Sequence, residues 1–330
     1  MFRSPRNLKT LFIKRVVGLP GEELQIINGE IFINGSLLSK PPLAHQEMWL
    51  SVLDTNLQTP NSNLRWRTEP NATAWQAQQQ SWLFDSTKSQ PELLNLTGQL
   101  TDELAYNVNA LQYIEPKPIH DVRLRVKLSQ LKGSGRLILI WEHSSGQVRA
   151  SITADGAASL IVRWKRKRRQ DIFKIAHLDQ AITSSLELML IVRDGHAYFY
   201  ADEKLLAQVP IGPFDAKAAG RIRPQSCQLS IAASNSRGKI SRIQLDRDVH
   251  YRTIVAKPGQ FPLRSATVKI QSTHYYVLGD NSPVSHDSRL GWPIHPSLQG
   301  KVQAGTVPAE LVQGVVTCIY WPPSRWRSFR

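Results

Sequence analysis

From about residue 120 onward the chain alternates apolar and polar positions with period two. Val122, Leu124, Val126 and Leu128 share one face of an extended segment while Arg123, Arg125 and Lys127 share the other, the pattern of a strand with one side on a core. Runs of similar character follow at residues 137–141, 159–164, 186–192, 197–200, 205–209 and 227–231, rich in side chains that suit a pleated, half-buried surface. Turn dipeptides separate them, among them Asp155-Gly156, Asp194-Gly195 and Arg237-Gly238. Short strands at this spacing, with almost no amphipathic helix between them, predict an all-β chain of two packed antiparallel sheets.

Hairpin signals also mark the start of the chain. Residues 24–27 and 30–33 flank Asn28-Gly29, and Asn34-Gly35 follows at once; such dipeptides supply the left-handed backbone that two-residue turns need. Just before this meander, Leu11, Phe12, Ile13, Val16 and Val17 form a nearly continuous apolar run around Lys14. The lysine therefore either points out of a buried strand or is itself partly desolvated. Between Pro41 and about Thr101 the periodicity loosens into Gln-, Asn- and Ser-rich sequence that carries Trp49, Trp66, Trp75 and Trp82. This stretch reads as loops and short strands with the tryptophans as core anchors. The strand order of the middle region resembles a laminin-G or concanavalin-like jelly roll. Such sandwiches often bind sugars, but the region shows no calcium-ligand cluster or sugar-binding constellation, and a fold does not by itself license a function.

Composition narrows the partners. A chain of 330 residues can bury a sizeable core and accommodates two domains. Lys and Arg number 41 against 26 Asp and Glu, for a net charge of +15, which favours an anionic partner such as a phospholipid surface or nucleic acid. The densest charge lies at residues 163–169, six cations around Trp164 in a predicted hairpin, suited to phosphate on lipid headgroups or nucleic acid. No recognised nucleic-acid module surrounds the run, so nucleic acid is not expected, and the run is either a phosphate site for a membrane surface or an exposed loop that aids solubility. Cys227 and Cys318 are too few and too separated for a disulfide framework or a thiolate metal site. No run approaches the roughly 20 apolar residues that cross a bilayer, and the opening residues Met1 to Arg6 lack the apolar centre of an export signal.

The chemistry lies at the two ends. Near the start stands Lys14-Arg15-Val16-Val17-Gly18-Leu19-Pro20-Gly21-Glu22; near the end, Tyr275-Tyr276-Val277-Leu278 reads as a strand running into Gly279-Asp280-Asn281, a polar turn with Ser285, and then Asp287-Ser288-Arg289. Val307-Pro308, Gly314-Val315-Val316 and Tyr320-Trp321-Pro322 follow in order. Together these strings resemble signal peptidase I, of the large-insertion type, over about residues 1–45 and 251–330. The resemblance implies a signal-peptidase-like β core of residues 1–45 and 251–330, interrupted by a jelly-roll sandwich over 46–250. It further implies a serine endopeptidase that removes signal peptides after small residues, in an Ala-x-Ala pattern, from exported precursors at the outer face of the cytoplasmic membrane. Lys14 would be the general base and Ser285 its orienting partner. Arg15, Gly279, Asp280, Asn281, Asp287, Ser288 and Arg289 would support them, and Phe12 and Ile13 would line the pockets for small side chains. The chemistry is consistent: a lysine can accept a proton from a serine only when neutral, which requires apolar surroundings or a neighbouring cation. No metal or organic cofactor is implied.

One part of the family pattern is absent from the sequence. The family carries its nucleophile in a Ser-Met-x-Pro string after a membrane anchor, and none of the three methionines here follows a serine. Ser4-Pro5 stands only ten positions before Lys14 and aligns with a later strand. The chain is therefore read as N-terminally truncated, through a late start codon, a shortened gene or a retained non-catalytic domain, with the nucleophilic serine supplied by sequence not present. A self-cleaving repressor of related fold would need a DNA-binding head. The remaining alternative is a non-catalytic sandwich that docks to anionic surfaces or glycans.

Overall fold

The computed structural model describes residues 1–38, 48–57, 63–102, 116–165, 170–178, 182, 185–212, 216–221, 225–252, 267–282, 285–319 and 327–328. The all-β expectation holds. Two compact units divide the chain: Met1–Met48 with Pro213–Arg223 and Val249–Arg330, and Trp49–Gly212 with Pro224–Asp248.

The first unit opens with β1 (Phe2–Arg3), β2 (Leu11–Phe12), β3 (Arg15–Gly18), β4 (Glu23–Ile27), β5 (Glu30–Ile33) and β6 (Ser36–Leu37). Asn28 and Gly29 both take positive φ, as do Asn34 and Gly35, so the β4–β5 and β5–β6 turns are of the tight type their sequences specify. A short helix, α1 (Ala216–Ala219), packs here: Ala216 N–H donates to Gly35 O at 2.9 Å and Asn28 Nδ2 to Ala219 O at 3.0 Å. Residues Pro213–Arg223 group with this first unit.

The second unit is a two-sheet sandwich built from β7 (Leu50–Asp54), β8 (Arg65–Thr68), β9 (Trp75–Gln78), β10 (Ser81–Ser86), β11 (Glu92–Thr97), β12 (Val122–Lys132), β13 (Arg136–His143), β14 (Gly146–Thr153), β15 (Ala157–Trp164), β16 (Ile172–His177), β17 (Leu186–Arg193), β18 (His196–Ala201), β19 (Lys204–Pro210), β20 (Gln228–Ser234) and β21 (Ser236–Arg247). One sheet runs β19-β18-β17-β12-β21-β10-β9, with β7 also on β21; the other runs β16-β15-β14-β13-β20-β11-β8. The pairs are antiparallel throughout. Val122, Leu124, Val126 and Leu128 are fully buried between the sheets, as their alternation requires. Trp66 and Trp75 are buried in the same core and Trp82 packs against it, whereas Trp49 lies under the guanidinium groups of Arg123 and Arg193, at 4.9 and 5.2 Å.

Arg237-Gly238 is not a turn. It lies inside β21, and the reversal from β20 occurs at Asn235, whose φ is +43°. Gly238 pairs with Phe84, and a Cβ there would stand 2.7 Å from Phe84 Cζ. The glycine makes room for an aromatic ring across the ladder, a use of glycine that sequence alone does not separate from turn formation. Of the basic run, Arg163 is exposed, Trp164 packs on the sandwich core and Lys165 pairs with Glu142 at 2.7 Å; residues 166–169 lie outside the described residues.

The chain then returns to the first unit with β22 (Val268–Lys269), β23 (His274–Leu278), β24 (Val307–Pro308), β25 (Cys318–Ile319) and β26 (Arg327–Ser328). The order β22-β4-β5-β6 forms one sheet and β24-β23-β3 another. Phe2, Val277, Trp292, Leu298, Val307 and Leu311 make the core beside the second sheet. Residues 320–322, part of the motif series, lie outside the described residues.

Candidate active site

The pairing of β3 with β23 creates the site. Val16 stands opposite Val277 and Arg15 opposite Leu278, so Lys14, just before β3, meets the residues that follow Leu278. Lys14 Nζ donates to Ser285 Oγ at 2.7 Å, across 271 residues of sequence. Ser285 is buried and Lys14 half-buried. The turn carrying Ser285 is fixed by its own N–H, which donates to Asn281 O at 2.9 Å.

Gly279 is what allows the two groups to meet. A Cβ at this position would fall 2.0 Å from Ser285 Oγ and 3.0 Å from Lys14 Nζ, well inside van der Waals contact with both. Its N–H donates to Asp287 Oδ2 at 3.0 Å, which draws the Gly279 and Asp287 backbones together. Ser288 continues the attachment. Its Oγ accepts from Val277 N–H at 2.9 Å, and its N–H donates to Val277 O at 3.1 Å.

Beneath this lies a buried ion pair. Arg289 Nε and Nη2 donate to the two oxygens of Asp287 at 2.9 and 2.7 Å. Nη1 donates to Ser282 Oγ at 2.6 Å and Arg252 O at 3.0 Å, and Nη2 also to Ser282 O at 2.9 Å. The five donors of the guanidinium are thus all used, which is the condition under which a buried charge is tolerable. Arg15 holds Asp280 in a second fork, with both contacts at 2.9 Å. This one is partly exposed, with side chains 25% and 47% accessible, and stabilises by only about 0–1 kcal/mol. Both carboxylates of the cluster are therefore already bound by arginine.

Electrostatics act on the lysine. Burial lowers the Lys14 pKa from its ordinary 10.5; the Asp287 carboxylate opposes this, the Arg289 guanidinium adds to it and Asp280 opposes it. Partial removal from water outweighs the nearby carboxylates because those are neutralised by their own arginines. An amine so placed reaches its uncharged, proton-accepting form at a lower pH than a surface lysine does.

Phe12 and Ile13 part company. Phe12 packs against Phe2 and Trp292, with ring centroids 6.1 and 6.4 Å apart. Ile13 is 65% exposed, and Leu11, Val16 and Leu19 are each about half exposed. The apolar run around Lys14 is thus not a buried strand, and the lysine owes its desolvation to the Gly279–Arg289 side. Sequence reasoning passed over Ser282, which is 2% exposed and accepts from both Arg289 and the Arg252 N–H, and Tyr276, whose buried hydroxyl finds no partner among the described residues. A serine directly after Gly-Asp-Asn, within reach of a following Asp-x-Arg, was the available signal.

The chain matches the family model described as "Signal peptidase, peptidase S26" over residues 1–80 and 221–321, more than half its length, and belongs to that family. No curated protein matches the sequence. Among solved structures, the chain is similar to the laminarinase from Rhodothermus marinus at 11% identity, covering 61% of this chain and 98% of that one, TM-score 0.41. It is similar to the endo-beta-1,3-glucanase from Pyrococcus furiosus at 9% identity, 70% and 100% coverage, TM-score 0.41, and to carbohydrate binding module CBM66 from Bacillus subtilis at 9% identity, 60% and 95% coverage, TM-score 0.34.

Proposed function

We propose that this chain provides the lysine side of a serine–lysine signal peptidase that cleaves exported precursors after small residues, at the outer face of the cytoplasmic membrane. The observation that carries the reading is the 2.7 Å hydrogen bond from Lys14 Nζ to Ser285 Oγ, set in the part of the chain that matches the peptidase family. In this reading uncharged Lys14 takes the proton of a serine hydroxyl as that oxygen attacks the scissile carbonyl, and later passes it to the departing amine. Ser285 fixes the direction of the lysine lone pair. The Asp287–Arg289 and Arg15–Asp280 pairs hold the two distant segments in register, and the exposed apolar side chains of Leu11, Ile13 and Val16 offer a surface for small substrate side chains.

The attacking serine belongs, in this reading, to a Ser-Met-x-Pro segment that residues 1–330 do not contain. The test is therefore cleavage of an Ala-x-Ala precursor by the chain joined to such a segment ahead of residue 1. Lys14→Ala should lower turnover by roughly 10²–10⁴-fold, the usual contribution of a positioned base, with no change in far-ultraviolet circular dichroism. Undiminished turnover in that variant contradicts the role given to Lys14. No helix among the described residues is long and apolar enough to cross a membrane.

A further inference from the structure

The outermost strand of one sandwich sheet presents an unusual face. β16 is the edge strand, next to β15. Ile172 and Ala176 pack inward on the sandwich core, and the alternation of a strand sends Phe173 and Ile175 the other way. They are 57% and 87% exposed. The same outer face continues across the ladder: Phe173 stands opposite Ile161, Ile161 opposite Arg149, and Arg163 opposite Gln147. Arg163, on this face, is exposed. Burial, and next the neighbouring Arg163 charge, lower the Arg149 pKa. The nearby acids are occupied, Glu142 by Lys165 and Gln147 and Asp171 by the Trp164 N–H.

We propose that this β14–β15–β16 face docks onto an anionic phospholipid bilayer. Apolar side chains standing out from an edge strand, with cations beside them, match the two layers of a membrane interface: acyl and glycerol groups for Phe173 and Ile175, phosphate for Arg149 and Arg163. Nucleic acid would engage the cations and leave Phe173 and Ile175 in water, so the apolar pair decides between the two. Contiguous exposed apolar groups of this kind mark interaction sites where scattered ones do not. In sequence, residues 166–169 are four further cations between β15 and β16. The proposal is independent of the peptidase reading, because neither Lys14 nor Ser285 takes part.

The experiment is sedimentation of the full chain with vesicles of phosphatidylcholine alone and with added phosphatidylglycerol. The wild type should bind the anionic vesicles preferentially. Phe173→Ser with Ile175→Ser should weaken that binding by roughly tenfold or more, the order that withdrawal of partly inserted apolar groups gives. Arg149→Gln with Arg163→Gln should weaken it and flatten its salt dependence. In a separate Phe173→Trp variant, indole emission should shift to the blue with anionic vesicles and not with neutral ones, a readout that needs no loss of folding. Equal binding to both vesicle types, undiminished binding by the serine double variant, or an indole indifferent to anionic lipid would each overturn the proposal. So would binding of short duplex DNA that the glutamine variant loses while vesicle binding ignores Phe173 and Ile175.

Discussion

At Gly279 a single missing carbon decides whether two side chains meet. The positions that would surround an added methyl are Ser285 Oγ, Ser285 Cβ and Lys14 Nζ, so Gly279→Ala should push the hydroxyl away from the amine. The expected cost is about 1–3 kcal/mol of stability from overpacking, read as a lower denaturation midpoint, together with loss of cleavage in the serine-bearing chain. Arg289 makes a different demand. Removing it leaves the Asp287 carboxylate, which is fully buried, without a counter-charge, and Arg289→Met should cost about 3–5 kcal/mol; a urea midpoint unchanged from wild type would refute that account of the pair. Thiol chemistry separates the two cysteines. Burial pushes the Cys227 thiol up to about 12, while Cys318 is exposed, so iodoacetamide at neutral pH should alkylate Cys318 and spare Cys227 in the folded chain. Much of the residue scale could be read from the motifs, because Gly-Asp-Asn and Asp-Ser-Arg name groups whose chemistry is stated by their identity. The Arg252 carbonyl could not, since a backbone acceptor for a guanidinium is defined by where the chain turns and not by residue type.

Elements were legible where periodicity and turn chemistry agreed. The Asn-Gly turns before and after β5 and the alternation of β12 are cases in which local preference and the final fold coincide. The Gln- and Trp-rich stretch was harder, because β8 to β10 are short and their polar outer faces are too brief to show a period. Gly238 shows the opposite failure, a turn signal inside a strand. If its role is to admit the Phe84 ring, Gly238→Ala should destabilise the sandwich by about 1–3 kcal/mol, and a smaller side chain at position 84 should recover part of that loss. A double-mutant cycle with Phe84→Leu checks this directly; additive effects would mean that the glycine serves something other than the ring.

Over the whole molecule, the sequence separates Lys14 from Ser285 by 271 positions and Arg15 from Asp280 by 265, so the candidate site exists only after contacts of very long range have formed. No local pattern reports on such a closure; the order of motifs did, because strings far apart are informative only jointly. Acid should weaken the fold through His143 in the sandwich. Burial, and next the neighbouring His120, hold its pKa down to about 4 against an ordinary 6.5. The unfolded chain therefore binds the proton first as pH falls, so the stabilisation is full above about 6.5 and is lost progressively down to about 4. Urea midpoints at several pH values should fall across this window, and less steeply in His143→Gln.

The sign for Lys14 runs through the same linkage. Its folded pKa lies below 10.5, so the unfolded chain holds the extra proton between the folded value and 10.5, and stability rises with pH across that interval as the penalty for burying the cation disappears. Proton-accepting capacity rises over the same range. The most direct measurement is a pH titration of the full chain after reductive methylation with ¹³C-formaldehyde, followed by nuclear magnetic resonance and assigned with Lys14→Arg. The account predicts a Lys14 methyl resonance that titrates below those of the surface lysines and moves toward them in Ser285→Ala or Gly279→Ala. A Lys14 signal that titrates together with the surface lysines in the unaltered chain would contradict it.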